Sequence, residues 1–113
     1  STSWNNNQIE YPQGKAEITG LLVEVARGKE TGWHSHSVPS FAYMLEGVLE
    51  VRLQDGSTKR IKAGEALAEV INTWHNGRNI GNTPVKIIVF YTGISGAAIS
   101  AKAPASIGDK EKK

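Results

Sequence analysis

Apolar residues in this sequence never keep a spacing of i, i+3, i+4 and i+7 for more than a turn or two. Short apolar runs that alternate every second residue instead recur between glycines and prolines. A chain patterned this way has no amphipathic helix to build on and must bury its apolar faces as sheets. Residues 16–26 alternate over their second half, with Leu21, Val23 and Val25 on one face and Glu24 on the other. Residues 41–46 and 48–53 flank Gly47 and read as a strand pair around a glycine-permitted turn. In the second of them Leu49, Val51 and Leu53 oppose a charged outer face built on Glu50 and Arg52. Asp55-Gly56 predicts a type I′ hairpin into the basic segment 57–62, and Ala63-Gly64 a further turn. Residues 66–71 (ALAEVI) and 74–79 supply two more strands. Beyond Gly81-Asn82-Thr83-Pro84, the run VKIIVFYT is the most strand-like of the chain, with Ile88 and Phe90 expected in the core. Roughly seven or eight short strands with regular turn signals predict an all-β sandwich or closed barrel.

The flanks read differently. Residues 1–15, with the polar run WNNNQ, predict an irregular N-terminal arm, and 16–93 the folded β-barrel domain. Residues 94–113 are Ala/Ser/Gly-rich and end in charge, which predicts an extended arm fading into a disordered basic tail. An equal reading makes 94–103 an extra strand that pairs with a second subunit. The chain of 113 residues is one domain's worth of material. Its net charge of +2 lies wholly in 102–113, where four lysines face Asp109 and Glu111, so the body is neutral and nucleic acid is not an expected partner. No apolar run has the length of a membrane-spanning helix, so no membrane partner is expected. With no cysteine, thiolate metal sites, disulfides and Cys nucleophiles are excluded. A first residue of Ser reads as a processed mature end or a cloning scar.

The chain has three histidines, His34, His36 and His75. On a strand, His-x-His puts both imidazoles on one face, and such a pair chelates. A third histidine from a distant strand completes three neutral nitrogen ligands and leaves coordination positions open for water or substrate. Gly28-x5-His34-x-His36 followed by Gly47 resembles the first signature of the cupins, and Gly64 with His75 and Asn79 the second. The resemblance covers residues 20–92 and absorbs every histidine. It implies a double-stranded β-helix, the jelly-roll barrel of small single-domain bacterial cupins. It also implies one divalent transition metal (iron, zinc, manganese or nickel) held by His34, His36 and His75.

Two departures matter. The glutamate that the first signature places four residues after its second histidine falls on Ser40, so the usual carboxylate ligand is missing and a three-His site is expected. In the second signature Val70 stands for the usual proline and Asn72 for the usual glycine, a turn that Asn tolerates. Ser40, Ala42 and Met44 continue the parity of the histidines and are expected to line the substrate pocket, with Phe41 and Tyr43 opposite them. Glu69, the one charge within ALAEVI, is the candidate catalytic acid or base; alternation alone leaves open whether it faces the pocket or solvent. Trp33 and Trp74 each precede a histidine and are expected outside the ligand cavity. Asn79 is expected to be structural and Arg78 to sit in a surface pair.

Such cupins include dioxygenases, isomerases and lyases, so the resemblance implies a metal-dependent enzyme acting on a small molecule. A non-catalytic ligand- or metal-binding module is the alternative. It further implies a homodimer, and small bacterial cupins often carry a signal peptide, which makes a periplasmic location an expectation alongside a cytoplasmic one.

Overall fold

The computed structural model describes residues 1–103 and is all-β, in two antiparallel sheets. The strands are β1 (Ala16–Val25), β2 (His34–Ser35), β3 (Ser40–Glu46), β4 (Val48–Leu53), β5 (Thr58–Lys62), β6 (Ala66–Ala68), β7 (His75–Asn79), β8 (Val85–Ile94) and β9 (Ala101–Lys102). One sheet runs β1-β8-β3-β6 and the other β5-β4-β7-β2-β9. Among the described residues only the β4–β5 connection stays within a sheet, and every other one crosses between the two. This is the jelly-roll, double-stranded β-helix expected from the sequence. No helix among the described residues is long and apolar enough to cross a membrane.

The crossing pattern corrects the reading of 41–46 and 48–53 as a strand pair. β3 lies between β8 and β6, β4 lies between β5 and β7, and Gly47 is the corner between sheets. Its φ is +90°, and a Cβ there would stand 2.8 Å from the Pro84 carbonyl oxygen, so only glycine lets the two corners of the barrel touch. The Asp-Gly hairpin forms between β4 and β5, but as a three-residue loop. Gly56 N–H donates to Leu53 O (3.0 Å), Leu53 N–H donates to Ser57 O (2.8 Å), and Gly56 alone is left-handed, at φ +92°. A type I′ turn needs two left-handed residues; one left-handed glycine gives the bulged loop instead.

Alternation places the core. Leu49, Val51 and Leu53 of β4, Ala42 and Met44 of β3, and Val85, Ile87, Val89 and Tyr91 of β8 all turn inward and are buried. Each large aliphatic among them contributes about 1.5–3 kcal/mol on leaving water. Ile88 and Phe90 are on the opposite parity and point out, with Phe90 51% exposed, which corrects their assignment to the core. Phe90 lies across Gly20, its cross-strand partner, where a Cβ would meet the ring at 3.0 Å.

Of the flanks, residues 1–15 form no strand beyond an isolated Thr2–Gln8 bridge, although Trp4 packs against the core and its backbone N–H donates to Ala68 O (3.0 Å). The arm after Gly93 is not free-running up to Ala103. β9 pairs with β2 of the same chain, His34 opposite Lys102 and Ser35 opposite Ala101, so this strand is intramolecular where the sequence left a second subunit open. The basic tail, residues 104–113, lies outside the described residues.

Candidate metal centre

His34 and His75 are direct cross-strand partners on β2 and β7, and His36 follows two residues after His34 on the same face. The three rings converge, with centroids 4.2 Å apart for His34–His75, 4.9 Å for His34–His36 and 5.1 Å for His36–His75. One ligand atom from each lies within 4.8 Å of the others, so the cluster can hold a metal ion.

Backbone carbonyls set the tautomer of each ring. His34 Nδ1 donates to Gly32 O (2.7 Å), His36 Nδ1 to Ile99 O (2.9 Å) and His75 Nδ1 to Thr73 O (2.8 Å). A carbonyl only accepts, so each Nδ1 carries the proton and each Nε2 keeps its lone pair. The anchors are themselves held: Gly32 N–H donates to Asn76 Oδ1 (3.0 Å), and Asn72 N–H donates to His36 O (2.7 Å). Asn72 is left-handed at φ +52°, the conformation the turn expected of it.

Burial keeps the rings neutral. It is the largest cause lowering all three, to about 4 for His36 and about 3 for His75; the backbone bonds oppose it, and neighbouring imidazoles add to it at His36 and His75. His75 Nε2 is buried with no hydrogen-bond partner. An orphaned buried polar atom costs about 1–3 kcal/mol, and a cation at that atom would relieve it. Three deprotonated imidazole nitrogens are a donor set for a divalent transition metal, so the residues present fit the group.

The rings open onto a cavity of about 60 Å³, walled by Val23, Leu49, Val51, Ile87 and Val89 and completed by Thr31, Gly77, Tyr91 and Glu69. Glu69 turns inward, with Oε2 3.9 Å from His75 Nε2, and burial pushes its carboxyl up to about 7. Ser40, Ala42 and Met44 do point inward, but they do not line this cavity. Ala42 and Met44 pack in the core, and Ser40 is buried with its Oγ unpartnered. The walls come instead from β1, β4, β7 and β8.

Other sequence candidates fall where expected. Trp74 lines a separate outer cleft with Asn5, Leu53 and Thr73, outside the histidine cavity. Asn79 is structural: its Nδ2 donates to Val25 O (3.0 Å) and Thr83 O (2.8 Å), and its Oδ1 accepts from Gly81 N–H (2.9 Å). Arg78 is exposed as expected, but the Glu50 carboxylate opposite it in the ladder pairs with Arg52 and Arg60, so the expected surface pair for Arg78 is not seen there. Sequence reading missed Tyr91, whose ring is 5.0 Å from His36, and the Ile99 carbonyl. The first was legible: Lys86 and Thr92 share parity with Ile88 and Phe90, which marks Ile87, Val89 and Tyr91 as the inward set. The second was not, because a backbone carbonyl has no residue signature. Burial, with the Glu69 charge second, pushes the Tyr91 hydroxyl up.

Comparison with known proteins gives a family match, Cupin domain (Cupin_2), over residues 21–91. Among solved structures, a protein from Bacillus halodurans is 23% identical with a TM-score of 0.62, covering 82% of this chain and 75% of its own. A DMSP lyase from Ruegeria pomeroyi is 17% identical with a TM-score of 0.65, covering 76% of this chain. An oxalate decarboxylase from Lactobacillus farciminis, in a formate complex, is 18% identical with a TM-score of 0.65, covering 82% of this chain. The match spans only 43% of the lyase and 30% of the decarboxylase, and at these identities the likeness is one of fold. No curated protein matches the sequence.

Proposed function

This chain belongs to the cupin domain family, and from that premise we propose that it is a metal-dependent enzyme acting on a small molecule at the His34–His36–His75 cluster. The observation that carries the reading is the set of three Nδ1–H···O=C bonds, which leaves three Nε2 lone pairs preorganised at one cavity. A single divalent transition metal, iron, zinc, manganese or nickel, held there would supply Lewis-acid polarisation of a carbonyl or, if redox-active, dioxygen activation.

The chain's own residues do the rest. Gly32, Ile99 and Thr73 hold the imidazoles in the ligating tautomer, and aliphatic side chains wall the cavity. At about 60 Å³ the cavity lies far below the range for drug-sized ligands, so its substrate is a small molecule. Glu69 is the one carboxylate among the residues lining that cavity, 3.9 Å from His75 Nε2, and is the acidic group available to its chemistry. The reaction is of dioxygenase or of isomerase and lyase type; a lyase and a decarboxylase among the structural neighbours support the second.

The same proposal includes a homodimer. Outward-facing Leu22, Ile88 and Tyr43 form one row across β1, β8 and β3, and Phe90 and Phe41 pair in the next. With Ile18 at 68% and Leu22 at 57% exposed, this apolar face suits a second copy.

Elemental analysis of protein prepared without chelators tests the metal reading. About one metal equivalent per chain is expected, lost in His75→Ala with the fold retained. Iron would direct the search to dioxygen consumption, and zinc, manganese or nickel to Lewis-acid chemistry. A His75→Ala protein that keeps a full equivalent refutes the site, and no metal in either protein after reconstitution leaves the binding-module reading.

A further inference from the structure

The ligand set of this cavity is short of the carboxylate that the cupin resemblance places at residue 40, where the chain has Ser40. β3 and β6 run antiparallel with Phe41 opposite Ala68 and Ala42 opposite Leu67. One further step along that register sets Ser40 opposite Glu69, and the Glu69 N–H donates to Ser40 O at 2.9 Å. Residues directly opposite in an antiparallel pair project from the same face, with Cβ atoms about 4.5–5.5 Å apart. A side chain from residue 69 therefore starts beside the position from which one at residue 40 would have started. The longer reach belongs to the glutamate, and Ser40 is small, 1% exposed and unpartnered at Oγ, so it leaves the space open.

Glu69 uses that space. Its Oε2 lies 3.9 Å from His75 Nε2, at the edge of the cluster whose ligand atoms lie within 4.8 Å of one another, which the three histidines form by themselves. Its side chain is 14% exposed and no lysine or arginine lines the cavity with it, only the three histidines that burial keeps neutral, so among the described lining residues no fixed positive charge offsets an ionised carboxylate. A dication would do so, since a bound metal is the largest local charge and inverts the cost of burial.

We propose that Glu69 is the fourth donor of the metal centre, supplied from β6 in place of the carboxylate that Ser40 lacks on β3. The centre is then three imidazoles and one carboxylate, with the fourth ligand moved across a strand ladder. This rests on the three-histidine reading and refines it. A carboxylate bound to the metal is not free to shuttle a proton, so ligation and an unliganded acid–base role are exclusive in the resting site.

Co(II) added to the metal-free full chain decides the matter through two readouts, the dissociation constant by chelator competition and the visible d–d spectrum. Wild-type protein is expected to bind one Co(II). Glu69→Gln and Glu69→Asp are each expected to weaken binding by about 10-fold or more, and each to change the d–d band, because the coordination sphere has changed. Glu69→Asp keeps the charge and withdraws the oxygens by one methylene, so it separates ligation from attraction at a distance. Wild-type affinity and spectrum in both variants would overturn the proposal. So would a Glu69→Gln protein of weaker affinity beside a Glu69→Asp protein with the wild-type spectrum, since the carboxylate would then act from outside the sphere. Failure of wild-type protein to bind Co(II) at all, matched by His75→Ala, would instead refute the three-histidine site beneath it.

Discussion

Replacing Gly47 by Ala tests the corner on which the two sheets meet. Gly47 has φ +90°, and a Cβ there would lie 2.8 Å from Pro84 O and 3.1 Å from Val85 Cα, both backbone atoms with no freedom to swing aside. Two costs add. Holding an L-residue in the left-handed region costs about 1–2 kcal/mol, and forcing a methyl against fixed neighbours about 1–3 kcal/mol. Gly64 separates them: its φ is also +90°, yet no atom lies within 4 Å of its Cβ position. Gly64→Ala should therefore lose about 1–2 kcal/mol and Gly47→Ala about 2–5 kcal/mol, the larger a sizeable part of the roughly 5–15 kcal/mol that a domain has. Urea unfolding of chelator-treated protein reads the difference without metal linkage. With a slope of about 1–3 kcal/mol/M, the two midpoints should differ by about 1 M. Equal losses in the two variants would show that β3 and β4 meet without the Pro84 contact, and the corner argument would fail.

Two further outcomes follow from the arm and the outer face. A chain ending at Ala103 keeps every contact described, whereas one ending at Gly96 loses the Ile99 carbonyl on His36 Nδ1, the Ala98 carbonyl on Ser37 Oγ and the whole of β9. The first should bind Co(II) as the full chain does and the second about 10–100-fold more weakly; equal affinity would remove the arm from the site. Sedimentation should give twice the chain mass for the wild type and the monomer mass for Phe90→Glu, which puts a charge in the centre of the apolar face. A wild-type monomer, or a variant that stays dimeric, would assign that face some other role.

How much of the site was legible depends on how local its determinants are. His34 and His36 share a face because a strand repeats every two residues, and Asn72 turns left-handed because its side chain permits it; neither needs a distant partner. Glu69 is different. ALAEVI is apolar on both parities, so only the Ser40–Glu69 alignment across β3 and β6 turns that carboxylate inward. The same limit explains Phe90 and Ile88: an apolar outer face looks like a second core face in one dimension. Ser40, Ala42 and Met44 had the right parity but the wrong neighbours, since parity selects the inside of the barrel and not the place within it.

The amino-acid sequence by itself determined an all-β chain, the order of its strands and turns, the three histidines that could hold a metal and the absent carboxylate at residue 40. Those follow from periods of two residues and from backbone freedoms at single positions, which are properties of neighbours along the chain. Only the tertiary structure decided that Gly47 joins two sheets and not one hairpin, and that β9 closes back on β2. It also decided that Ile99 holds His36 and that Glu69 stands where Ser40 falls short. Each of these depends on pairing between residues distant in sequence, where register and sheet membership are set by the packing of the whole barrel.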